Sequence, residues 1–148
     1  MNRYAEIAWR EGVAPLLSPG ALTSLAAALA DDDERLVQGQ TTVPLYLPSC
    51  TAGDRVERAC PLGWCCWHEA GGVGRRIEVR DLDERFGDLL ASADHVLGHP
   101  GASAPLIEWI DAVAREELRV DLLALVRREL ERRETEEQEN HHATFGSH

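Results

Sequence analysis

The sequence predicts a mainly α, compact multi-helix domain carrying a loop-rich cysteine–tryptophan insert. Three observations point there. Apolar residues recur at helical spacing over residues 18–30, 81–97 and 103–133. Serine, glycine and proline signals bracket those segments. Between the first and second of them, residues 40–74 lose the helical period and are punctuated by Pro44, Pro48, Pro61 and several glycines.

Taken in order, residues 2–12 place Tyr4, Ile7 and Ala8 at helical spacing behind an Asn2 cap and stop at Gly12. Ser18 is a good N-cap and Pro19 fits the first helical position, with Leu22, Leu25, Ala26 and Leu29 on one apolar face. The acidic run Asp31–Glu34 is unfavourable at a helix carboxyl end, so the chain is expected to break near Asp31 and to resume as a short helix through Leu36 and Val37. Residues 42–47 are β-prone but interrupted by Pro44, and residues 76–80 alternate Ile77 and Val79 with charges. Together they permit one short β-hairpin.

Helix returns at Asp81, where Asp81 and Glu84 have the spacing of a capping box, and Leu82, Phe86, Leu89, Leu90, Ala93 and Val96 form the buried side. Gly98 and Pro100 close it. Ser103 opens a stripe of Ile107, Ile110, Ala114, Leu118, Leu122, Leu125 and Leu130, read as one long bent helix or two with a break near Ala114. The organisation is thus one helical domain over residues 1–133, with residues 40–80 as the insert, and a polar, flexible tail over residues 134–148.

With 148 residues, a domain buries roughly 70% of its unfolded surface and needs neither disulfides nor metal to build a core. The start of the chain lacks the basic and apolar regions of a secretion signal, and the longest apolar stretch is far shorter than the ~20 residues of a membrane span. A soluble, cytoplasmic protein is expected. Formal net charge is −11 and all basic residues are arginines; such a balance repels phosphate backbones, which counts against nucleic acid and anionic membranes as partners.

The sharpest local anomaly is the insert, where Cys50, Cys60, Cys65 and Cys66 are interleaved with Trp64, Trp67 and His68. Buried cysteines and tryptophans commonly do no more than pack such a segment onto a helical core. A zinc site is the first functional alternative, with Cys50, Cys60, Cys65, Cys66 and His68 as candidate ligands. Their number suffices for tetrahedral coordination, but Cys-x4-Cys is a loose spacing, the second pair is missing, and adjacent cysteines seldom bind one ion together. Thiol redox chemistry is the second, weakened by the expected reducing compartment and by the lack of a Cys-x-x-Cys motif.

His95 and His99 lie four apart, as metal ligands on one helix face would, but Gly98 and Pro100 end the helix there; interaction with its carboxyl end is the simpler role. Gly71, Gly72 and Gly74 with Arg75 and Arg76 lack the third glycine of a dinucleotide loop and the lysine of a phosphate loop. No nucleophile, acid–base pair or nucleotide loop stands out, so no catalytic residue and no cofactor is assigned. The expectation is a non-catalytic helical protein acting through protein contacts, with a protein partner or self-association, and a zinc or thiol-redox protein is the alternative.

Overall fold

A computed structural model describes residues 1–47 and 53–146, with side chains through His141. The described residues form six α-helices and a two-stranded antiparallel sheet. Helix α1 spans Arg3–Ile7, capped by Asn2, whose Oδ1 accepts from the Ala5 N–H at 2.8 Å. Its winding then loosens into a π-helical stretch, Ala8–Val13, and tightens into a 3-10 turn, Ala14–Leu16. Gly12, expected to stop the helix, lies inside the π-helical stretch instead. A Cβ there would sit 2.6 Å from Leu97 Cδ1, so this glycine serves close packing rather than termination.

Helix α2 spans Pro19–Asp31 and starts as expected, the Ser18 hydroxyl accepting from the Ala21 N–H at 3.1 Å. Its acidic end has no basic residue of its own. Asp32 adopts a left-handed conformation (φ 51°) to turn the chain out of the helix. Arg119 donates to the Leu29 and Ala30 carbonyls at 2.9 and 3.1 Å, and Arg115 to the Asp32 carboxylate at 2.8 Å and the Leu36 carbonyl at 2.7 Å. Cations distant in sequence thus satisfy the orphan carbonyls and the negative helix end.

The short helix expected through Leu36 and Val37 does not form, because the backbone there pairs with Ala59: Val37 N–H donates to the Ala59 carbonyl and Ala59 N–H to the Arg35 carbonyl, both at 2.9 Å. Strand β1, Thr42–Val43, pairs with β2, Arg58–Ala59, in the register Thr42↔Ala59 and Val43↔Arg58. A hairpin is therefore present, but its second strand is not the expected residues 76–80. Those residues lead into a helix, and Val79 N–H is taken by the Asp54 carbonyl at 2.8 Å. That backbone bond lets helix α4, Val79–Leu97, begin at a Glu78 cap, three residues before the expected cap Asp81.

The insert also contains a helix where irregular chain was expected: α3, Pro61–Glu69. Residues 61–67 are all buried, so no polar face marks the helical period. Gly98 (φ 104°) ends α4. The following region is two helices, α5 (Ala104–Ala112) and α6 (Arg115–Gly146). At the break, Gln38 Nε2 donates to the Ile110 and Val113 carbonyls, each at 2.8 Å. Residues 134–146, expected as a flexible tail, continue α6 as helix, while residues 134–141 are exposed as their polarity requires. An Arg132–Glu136 ion pair at 2.9 Å, with i,i+4 spacing, supports the exposed turns.

The main core joins Trp9 and Val13, Leu22, Leu25 and Leu29 of α2, Leu62 and Trp64 of α3, Leu106 and Ile110 of α5, and Leu118, Leu122 and Leu125 of α6. Phe86, Leu89, Leu90 and Ile107 pack against it half-buried. A smaller cluster of Val56, Ala59, Cys66, Trp67, Val79 and Leu82 lies beneath the sheet and α4, and Phe86 and Leu89 touch both clusters.

One carboxylate is buried with this core. Glu129 Oε1 accepts from Arg132 at 2.8 Å and Arg133 at 3.0 Å, and Arg133 also donates to the Ala14 carbonyl at 2.7 Å, tying α6 to the 3-10 turn. Burial alone would raise the Glu129 carboxyl, but the hydrogen bonds and charges of Arg132 and Arg133 outweigh it and hold the group below its ordinary 4.5. In acid the unfolded chain therefore takes up this proton more readily than the folded one, and stability rises with pH across that window. The contribution is complete above pH 4.5 and is lost as pH falls through the lowered native value. Thermal unfolding between pH 7 and pH 3 should show a smaller acid-induced drop in Tm for Glu129→Gln than for the wild type; equal drops would refute the assignment.

Candidate functional site

The anomalous cysteine–tryptophan segment is organised by α3. Cys60 is its N-cap: the sulfur accepts from the Gly63 N–H at 3.3 Å, and the Cys60 N–H donates to the Thr41 carbonyl at 2.9 Å. A Cβ on Gly63 would lie 2.9 Å from that same carbonyl, so only glycine lets the first turn of α3 press onto the residue before β1. Pro61 fills the first helical position, where no N–H is needed.

The two tryptophans grip different parts of the fold. Trp64 lies in the main core, donates from Nε1 to the Ser24 hydroxyl at 3.0 Å and carries the Arg35 guanidinium 5.2 Å above its ring. Trp67 lies in the smaller cluster and donates to the Arg75 carbonyl at 2.8 Å. Their rings meet edge to face, with centroids 6.2 Å apart. They hold the insert on the helices in the way the burial reading of the sequence expects.

The candidate ligands divide between the two clusters, Cys60 and Cys65 in the main core and Cys66 in the smaller one. Cys65 faces α2, its sulfur 3.9 Å from the Ala21 carbonyl, while Cys66 belongs to the smaller cluster. Successive residues on a helix diverge by about 100°, which is why adjacent cysteines point apart. His68 lies over the first turn of α2, its Nε2 2.8 Å from where a Cβ of Gly20 would be. Cys50 lies outside the described residues. Among the described residues, no group of three or more His, Cys, Asp or Glu side chains is placed to hold a metal ion.

Burial pushes the Cys60 thiol up to about 11 and the Cys66 thiol up to about 12, and raises Cys65 well above its ordinary value. The thiolate is the form that attacks and that binds metal, and burial disfavours it at all three sulfurs. In a Cys50→Ser variant, a chromogenic disulfide reagent should label Cys60, Cys65 and Cys66 slowly in the folded protein and rapidly in denaturant. Fast labelling of any one in the native state would contradict this packing.

Two hollows flank α4. One, of about 480 Å³, surrounds its carboxyl end and is lined by Ala91, Asp94, His95, Gly98, His99 and Pro100. The Asp94 carboxylate is already engaged there, accepting from the Gly101 and Ser103 N–H groups at 2.8 Å each, and it is held below the usual carboxylate range chiefly by the Ser103 hydroxyl. His95 sits in the last turn of α4 and His99 beyond its Gly98 cap, where Nδ1 lies 3.1 Å from the Pro100 carbonyl.

The other hollow is a groove of about 370 Å³ between the 3-10 turn, α3 and α4. Leu16, Leu17, Leu89 and the Cys66 side chain supply its apolar surface, and Glu69, Arg85, Asp88 and Ser92 its polar rim. Leu16 remains 42% exposed there although it is a large aliphatic side chain. Glu69 accepts from the Ser18 N–H at 3.2 Å, fixing α3 to the start of α2. The side chains of Arg85 and Asp88 make no hydrogen bond or ion pair among the described residues, and the Arg85 charge acts on the Cys66 thiol. Sequence reasoning placed Leu89 and Cys66 among the buried residues and overlooked the groove, since the 3-10 turn that supplies Leu16 and Leu17 is adjacent only in space. No described helix is long and apolar enough to cross a membrane. The chain matches no protein-family model, no curated protein and no solved structure.

Proposed function

We propose that the protein works without catalysis, as a helical contact module that holds a segment of a partner protein in the groove between the 3-10 turn, α3 and α4. The observation that carries this reading is the groove itself: exposed Leu16 beside Leu17 and Leu89, framed by Arg85 and Asp88, whose side chains form no hydrogen bond or ion pair among the described residues. An apolar floor with a few polar groups at its rim is the usual composition of a recognition site. Its volume is at the small end of ligand pockets and suits one or two side chains of a larger partner.

Chemistry at this place has little support. Of the groups lining the groove that can act as nucleophiles, burial raises the Cys66 thiol, and neither Cys66 nor the Ser92 hydroxyl has a general base bonded to it among the described residues. Net charge −11 argues against a nucleic-acid partner. Free, buried Cys60, Cys65 and Cys66 suit a reducing setting, and we place the protein in the cytoplasm on that ground.

The test is selection of a displayed random-peptide library on the protein, with counter-screening against Leu16→Asp, together with metal analysis of the purified material. Enriched peptides that bind the wild type and lose affinity for the variant support the reading. Failure to enrich, or binding indifferent to Leu16, refutes it, and stoichiometric zinc would favour the metal-protein alternative.

A further inference from the structure

We infer that the occupant of this groove is a basic amphipathic segment of another protein, one that inserts an apolar side chain between arginines or lysines. The inference rests on the contact-module reading and adds the chemistry of the partner. Its first support is the apolar floor, which rewards a buried aliphatic or aromatic anchor and offers nothing to a purely polar ligand.

The second support is charge. Glu69 on α3 and Asp88 on α4 present carboxylates from two walls of the groove. Along α4, exposed Asp81, Glu84 and Asp88 recur at positions i, i+3 and i+7, an acidic ridge about 10 Å long on one face of the helix. Residues 81–94 carry five carboxylates, Asp81, Asp83, Glu84, Asp88 and Asp94, against the single cation Arg85. Of these, Asp94 is engaged by the loop after α4 and Glu84 shares a loose, exposed pair with Arg80 at 3.4 Å. An incoming cation meets attraction from this ridge and from a protein whose net charge is −11.

Arg85 narrows the choice further. Standing among the carboxylates, it repels a uniformly cationic strand and favours a ligand that turns a backbone carbonyl or an acidic side chain toward it. A basic helix with an apolar face satisfies all three demands, whereas a simple polycation satisfies only one.

The probe is a synthetic helix-forming peptide of about 15 residues, with leucines at i, i+3, i+4 and i+7 and arginines on the flanks, compared with the same peptide carrying glutamates for arginines. Binding is read by fluorescence anisotropy at low and high salt, on the full chain and on Leu16→Asp and Glu84→Lys/Asp88→Lys, all at exposed positions. The expected result is that the basic peptide binds the wild type about tenfold or more tightly than the acidic one. The charge-reversal variant should erase that preference, and Leu16→Asp should abolish binding at either salt. Leu16-dependent binding without charge preference would leave the groove standing and overturn the basic partner. Binding of the basic peptide that ignores Leu16 would overturn the groove reading with it. A Leu16-dependent dimer of the chain alone in sedimentation would assign the groove to a second copy and also overturn the inference.

Discussion

Leu122→Ala is expected to lower the unfolding free energy by about 2–5 kcal/mol, the range for removing a fully buried leucine from a packed core. Leu122 is fully buried on α6, within the cluster that also holds Leu22, Leu25 and Leu29 of α2. The α2–α6 pairing is further held by Arg115 and Arg119, which bond the carboxyl end of α2 and cannot move aside to fill a void without losing those bonds. Collapse around the deletion is therefore restricted, which puts the cost toward the upper part of the range. Leu89 is only half-buried at the groove edge, so Leu89→Ala should cost clearly less. Urea denaturation of the two variants would check the order, and a cost below about 1 kcal/mol for Leu122→Ala would mean that the α6 face is wrongly assigned.

Trp64→Ala should be equally damaging, at about 3–5 kcal/mol, because it removes the largest anchor between the insert and the main core. The indole is 3% exposed, donates to Ser24 and underlies Arg35. Trp64→Phe keeps most of the apolar contact and loses the hydrogen bond, so it should cost about 1 kcal/mol or somewhat more. The same denaturation series under reducing conditions, with and without a strong chelator, separates packing from metal. The expected result is a large loss from Trp64→Ala and no effect of the chelator on the wild type. A near-neutral Trp64→Ala with a chelator-sensitive wild type would transfer the role of anchor from the indole to an ion.

The groove gives these stability variants a functional complement. Leu16 and Asp88 are exposed, whereas Leu122 and Trp64 are buried, so binding and folding can be perturbed independently. Cys66 contributes its side chain to the groove wall, and burial raises its thiol.

What the amino-acid order determined by itself was the set of elements with one apolar and one polar face. The Ser18–Pro19 start of α2, the Gly98 end of α4 and the stripe Leu118, Leu122, Leu125 on α6 are legible because local capping chemistry and a two-sided environment leave a periodic trace. The tertiary structure decided the rest, wherever partners come from far along the chain. Helix α3 is buried on nearly every side and so shows no period, and it needs Gly63 to pass under the Thr41 carbonyl. Strand β1 chose residues 58–59 over 76–80, whose backbone bonds to Asp54 and Val56 and then enters α4. The acidic end of α2, unfavourable in isolation, is neutralised by arginines more than eighty residues away. The groove has the same origin: Leu16, Cys66 and Leu89 are ordinary apolar residues in the sequence, and only the meeting of a 3-10 turn with two helices leaves them facing an open space.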